Sequence, residues 1–104
     1  MWGVCLDADL ITDGLFQTVV QYEPTADGLR LLAPDAGRLL TLAKVRPLAA
    51  PPRFYWGQKV TPRAHPERIS TIRTICWHFK RQAYFYLLQE SSRRYFEDEL
   101  DSPV

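Results

Sequence analysis

Ile69-Ser-Thr-Ile-Arg-Thr-Ile-Cys-Trp-His-Phe79, then Lys80-Arg-Gln82, then Ala83-Tyr-Phe-Tyr-Leu-Leu88 is the stretch on which the fold turns. The first run is long and rich in β-branched and aromatic residues, which suit a pleated surface better than a helix. Lys80-Arg-Gln82 turns the chain back, and Ala83 to Leu88 is read as the hairpin partner. Upstream, Phe54-Tyr-Trp-Gly-Gln-Lys-Val60 is read as a strand interrupted at Gly57, where a bulge or a close backbone approach is expected. Thr61 to Arg68 is a loop held open by two prolines. Downstream come a turn at Gln89-Glu-Ser-Ser92, a short strand at Arg93 to Phe96 and a closing helical turn at Glu97-Asp-Glu-Leu100. Residues 101–104 read as a frayed tail.

The first half reads as a three-stranded meander. Phe16, Thr18, Val20 and Tyr22 alternate with Gln17, Val19 and Gln21, the period of a half-buried strand. Glu23-Pro-Thr-Ala-Asp-Gly28 supplies turn chemistry, Leu29 to Leu32 a second strand, and Ala33-Pro-Asp-Ala-Gly37 another turn. Arg38 to Val45 is a third apolar run. Over residues 35–45 a helix capped by Asp35 also fits the spacing of Leu39, Leu42 and Val45, with strand the preferred reading. Arg46-Pro-Leu-Ala-Ala-Pro-Pro-Arg53 holds three prolines and is read as an extended connector. The expected organisation is therefore an all-β chain: a meander over residues 1–46, a connector over 47–53, a small barrel over 54–100 and a tail, packed as one body.

The order of the second half is a strand with an early glycine, a long loop, a strand with Ile72-x-x-Ile75, a hairpin, then Arg93-Arg-Tyr-Phe-Glu-Asp-Glu-Leu100. It resembles SH3-like small barrels, in which a single 3₁₀ turn adjoins the last strand. It is also similar to small uncharacterised bacterial proteins with a Trp-His-Phe-Lys strand and an Arg-Tyr-x-x-x-x-Leu ending. The resemblance covers about half the chain and is topological. It implies a binding scaffold and no particular activity, since such barrels take peptides, nucleic acids, methylated side chains or other subunits. The chain departs from the pattern in carrying Ser70-Thr71 where a glycine usually precedes Ile72, and in its N-terminal meander.

At 104 residues and 46% hydrophobic content the chain is one domain's worth of globular protein, or two small lobes. The net charge of +1 conceals a segregation. Residues 53–94 carry nine Lys or Arg against two Asp or Glu, whereas residues 95–104 carry four acids and no base. A block at +7 attracts polyanions or pairs with the acidic tail beside it. Two cysteines, Cys5 and Cys76, do not make a disulfide framework. The N-terminus has no basic leader, and no run approaches the ~20 apolar residues that span a bilayer. The expected setting is a reducing bacterial cytoplasm, away from membranes.

Catalytic and metal chemistry find little support. Cys76 and His78 align on one strand face, yet two ligands fall short of the four of a structural zinc site. His65 and Cys5 have no spacing that completes the set. A Cys76–His78 nucleophilic pair needs an exposed thiolate, which a strand interior does not offer. Glu97-Asp-Glu with Asp101 lacks the alternation and central glycine of a calcium loop. No phosphate loop or nucleophile elbow appears, so no cofactor is expected and enzyme is the weakest class.

Basic and aromatic residues carry more weight. Residues 54–100 hold ten of the chain's thirteen aromatic side chains. Arg63, His65 and Arg68 lie on the proline-bordered loop, Arg73, His78, Lys80 and Arg81 on the hairpin, and Arg93 and Arg94 beside Tyr95. A barrel can bring these to one side together with Tyr55, Trp56, Trp77 and Tyr84. A barrel this small also needs much of Phe54, Trp56, Trp77, Phe79, Phe85 and Phe96 as core. The expectation is a small non-enzymatic interaction module whose aromatic and basic face binds a protein partner. The alternative is a nucleic-acid-binding protein that uses the basic block. Self-pairing of meander edge strands into a homodimer is a further expectation.

Overall fold

The computed structural model describes residues 1–6, 17–34, 36–40 and 45–103. The fold class is all-β. In chain order the strands are β1 (Trp2–Cys5), β2 (Val19–Thr25), β3 (Gly28–Ala33), β4 (Leu39–Leu40), β5 (Val45–Leu48), β6 (Lys59–Pro62), β7 (Ser70–His78), β8 (Ala83–Leu88), β9 (Arg94–Phe96) and β10 (Leu100–Asp101). They form two antiparallel five-stranded sheets, β4-β3-β2-β1-β5 and β10-β6-β7-β8-β9. Contacts divide the chain into two compact units, Met1–Pro51 and Pro52–Val104, each containing one sheet.

Among the described residues the N-terminal unit has a five-stranded sheet and not the three strands of the expected meander. The two additional strands lie where the sequence disguises them. β1 sits between β2 and β5 with Gly3, Val4 and Cys5 buried, so it shows no polar alternation. β5 occupies part of the segment read as a connector. It is an edge strand, with Pro47 opposite Gly3, and an edge accommodates a residue that cannot donate to a neighbour. β2 likewise runs through Pro24 to Thr25, leaving a two-residue turn at Ala26–Asp27. Within β2, the partners of β1 are Val19, Val20 and Gln21, so the missing amide of Pro24 lies beyond that pairing. Cys5, Val20, Tyr22, Leu29, Leu31, Leu40 and Val45 form the core. Across the sheet, Glu23 pairs with Arg30 in an exposed ion pair that adds little stability. Phe16, Asp35 and residues 41–44, on which parts of the expected strands and the alternative helix cap fall, lie outside the described residues; Leu39–Leu40 is strand.

In the C-terminal unit the β7–β8 hairpin forms as read, with Gln82 adopting φ 52° to complete the turn. The strand expected from Phe54 begins only at Lys59 and runs into the expected loop as far as Pro62. Residues 54–58 form a turn instead. Gly57 takes φ 79°, and the Gln58 side-chain oxygen accepts the Tyr55 amide at 3.1 Å. The Gly57 amide donates to the Ile72 carbonyl and the Ile72 amide to the Gln58 carbonyl, each at 2.9 Å, which ties this turn to β7. A bulge between Ile72 and Thr74 kinks β7. The closing turn is a 3₁₀ turn at Glu97–Glu99. Leu100–Asp101 then pairs with Pro62 and Thr61, so Asp101 belongs to the sheet and not to a frayed tail.

Candidate functional site

Residues opposite one another in an antiparallel register share a sheet face. Trp77 faces Tyr84, Ile75 faces Tyr86, and Tyr86 faces Tyr95, which places these on one side. Cys76 faces Phe85, Phe85 faces Phe96, and His78 faces Ala83, which places these on the other. The first side is the core: Ile75, Tyr84, Tyr86 and Tyr95 are all buried. On the second side Phe85, Phe96, His78 and Ala83 are only half-buried, while Cys76 is buried. Tyrosine carries a hydroxyl that needs a partner when buried and phenylalanine does not, so this arrangement inverts the usual preference.

The inversion is sustained by one hydrogen-bonded hub. Tyr86 Oη donates to Glu97 Oε1 at 2.6 Å and accepts the amides of Arg53 at 3.2 Å and Phe54 at 3.4 Å. Glu97 Oε1 also accepts the Arg53 amide at 2.8 Å. Phe54 packs edge-on against the Tyr86 ring, with centroids 5.4 Å apart. Burial and the Glu97 hydrogen bond raise the phenol well above the ordinary tyrosine range. The hub fixes which face of β8 turns inward, and it joins the start of the C-terminal unit to its closing turn.

On the outward side the rings form one strip. His78 lies 5.6 Å from Phe96 and 6.4 Å from Phe85, and the two phenylalanine rings are 5.9 Å apart. The Arg81 guanidinium sits 4.5 Å over Phe96, and that of Arg94 5.5 Å over Phe85. The Arg81 amide donates to His78 Nδ1 at 3.1 Å, which holds the imidazole to the hairpin turn. An aromatic strip with an exposed guanidinium over each phenylalanine is the candidate site.

Of the site residues expected from sequence, the structure brings together His78, Arg81 and Arg94. Tyr84 is not a surface residue: it lies in the core, edge-on to Trp77 at 5.0 Å. Arg63 and Arg93 are engaged by the acidic tail, Arg63 with Asp101 at 3.1 Å and Arg93 with Glu99 at 3.3 Å. Tyr55, Arg68, Arg73 and Lys80 are exposed, Lys80 next to Arg81 in the hairpin turn and the others elsewhere on the unit. Phe85 and Phe96, two of the six aromatics of which the sequence requires much as core, are the centre of the strip. Every residue of β8 is apolar or aromatic, so alternation alone does not show which phase faces inward. A buried tyrosine seeking the carboxylate of Glu97 is the signal that decides it.

Other chemistry is held in check by the same geometry. Burial pushes the Cys76 thiol from 9.0 up to about 11 despite the nearby Arg73, opposite to what a nucleophile requires. Cys5 rises equally, by burial that outweighs Arg38. Among the described residues no cluster of three or more His, Cys, Asp or Glu is placed to hold a metal ion. The acidic run is occupied: Glu97 by the hub, Glu99 by the Phe96 amide at 3.0 Å and Arg93, Asp101 by Arg63. An open groove beside Arg53, Thr61, Glu67, Ile69 and Asp101 mixes both charges and converges on no reactive group. Among the described residues no helix is long and apolar enough to cross a membrane.

The shifted groups set the alkaline limit of stability. Tyr84 is pushed from 10.0 up to about 12, by burial and then by Glu97. In the unfolded chain these thiols and phenols ionise near 9.0 and 10.0, whereas the fold keeps them neutral. Their contribution is complete below pH 9.0 and is lost as the pH climbs towards 11–12. Denaturation midpoints measured across this range are expected to fall steadily. At pH 8 native thiols are expected to react with iodoacetamide about a hundredfold more slowly than denatured ones, because two pH units separate their thiolate fractions.

No protein-family model, curated protein or solved structure matches this chain.

Proposed function

We propose that this chain is a small non-enzymatic interaction module of the bacterial cytoplasm that binds a protein partner through the outer face of β7–β9. The observation that carries the reading is the inversion of aromatics along β8 and β9: Tyr84, Tyr86 and Tyr95 are buried with Phe54 while Phe85 and Phe96 are turned outward. Half-exposed rings on a hydrogen-bonded sheet are the composition of an interface core, with arginine at its border. The strand order β10-β6-β7-β8-β9, with a 3₁₀ turn before the last strand, supports the SH3-like reading of this unit. Two buried cysteines that form no disulfide are in keeping with a reducing compartment.

Nucleic-acid binding is the competing reading, and the tail weakens it. Arg63 and Arg93 of the basic block are already paired with Asp101 and Glu99. Titration against mixed single- and double-stranded oligonucleotides at low and moderate salt separates the two. Protein recognition predicts no tight oligonucleotide binding at low salt, with light scattering reporting any self-association. Tight binding that falls by orders of magnitude with a few-fold rise in salt is the signature of about six or more phosphate contacts and would replace this reading. Charge reversal at Arg93 and Arg94 is then expected to abolish it.

A further inference from the structure

Resting on the reading of this face as the contact surface, we infer that its partner is an acidic peptide segment. It lays an apolar side chain across Phe85 and Phe96 and presents carboxylates to Arg81 and Arg94. Charge complementarity carries the inference. Arg63 and Arg93 each have a carboxylate at 3.1 Å and 3.3 Å, whereas Arg81 and Arg94 are exposed and have no carboxylate partner among the described residues. Their guanidiniums rest over aromatic rings at 4.5 Å and 5.5 Å, as that of Arg93 does over Tyr95 at 4.8 Å, but without its carboxylate partner. That contact holds the long side chains in place before a partner arrives and leaves N–H groups free to meet an anion. Planar donors of this kind favour carboxylate in a two-bond geometry.

The arrangement prescribes an order of chemistry along the partner. Phe85 and Phe96 pair across β8 and β9, with Arg81 over one ring and Arg94 over the other. An apolar centre flanked by cations matches a segment with an apolar residue flanked by acids. One further feature favours a short peptide over nucleic acid. Glu97, Asp98 and Glu99 follow Phe96 directly and oppose a polyanion running on past the strip. The segment docks on the sheet face and does not extend the β9 edge, because Glu99 Oε1 occupies the Phe96 amide at 3.0 Å.

Selection of a randomised linear peptide library displayed on phage against the full chain tests this, with a randomised single-stranded DNA pool selected in parallel. The expected winners carry Asp or Glu on both sides of an apolar residue. Arg81→Glu and Arg94→Glu each weaken them about tenfold or more, and the double variant selects basic peptides instead. Both substitutions are at exposed positions, and circular dichroism confirms that the sheet is retained. Uncharged or basic winners that lose affinity in the Phe85→Ser, Phe96→Ser double variant would overturn the acidic partner while leaving the contact surface in place. Winners unaffected by all these substitutions, an absence of winners, or enrichment of the DNA pool would overturn both.

Discussion

Replacing Gly3 with alanine is expected to destabilise the N-terminal unit by about 2–3 kcal/mol, the cost of forcing a methyl into a space already filled. A Cβ at this position meets the Arg46 carbonyl oxygen and Tyr22 Cε1 at 2.9 Å each, and presses harder still on Val45 Cγ1. Val45 can rotate and Tyr22 can tilt. The Arg46 carbonyl belongs to the backbone of β5 and recedes only if β5 moves away from β1. Since β5 is an edge strand whose strand partner among the described residues is β1, that movement detaches it. Urea denaturation of Gly3→Ala measures the loss, and hydrogen exchange at residues 45–48 should show it first. A change under about 0.5 kcal/mol, within the range of an ordinary surface substitution, would mean that β1 and β5 are less closely apposed than described here.

Tyr86→Phe is expected to cost the C-terminal unit about 1–3 kcal/mol, the range for leaving a buried polar group without its partner. The ring and its contact with Phe54 survive, so the loss isolates the hydroxyl. Without it the Phe54 amide loses its acceptor, and Glu97 keeps only the Arg53 amide among these partners. Glu97→Gln tests the same hub from the other side. It retains a carbonyl acceptor and is expected to be milder. If Tyr86→Phe proved neutral, the hub would not be what sets the phase of β8.

Much of the C-terminal unit was legible because its signals are local. The β7–β8 hairpin is specified by residues next to one another, and β-branched runs and polar turns declare themselves. What escaped reading depends on distant partners. Trp2-Gly-Val-Cys5 becomes a strand only because β2 and β5 flank it, and Pro47 is tolerable only because β5 is an edge. Phe54 to Trp56 has the composition of a strand, yet Gly57 and the Gln58 side chain turn it aside. The candidate site shows the same limit. His78, Arg81 and Arg94 were recognisable by type. Arg63 and Arg93 resembled them until Asp101 and Glu99 were placed beside them. Phe85 and Tyr84 exchange their expected roles because the hydroxyl of Tyr86 finds a carboxylate eleven positions later in the chain.

The proposed contact surface rests on that exchange, since the strip exists only if the phenylalanines face outward. Hydroxyl-radical footprinting of the native chain, resolved by residue and corrected for intrinsic reactivity, reads it directly. The expected pattern is strong labelling of Phe85 and Phe96 with Tyr84 and Tyr86 protected, although tyrosine and phenylalanine rings are both oxidisable. Protection of the two phenylalanines with labelling of the two tyrosines would contradict the assignment of faces, and with it the proposed contact surface.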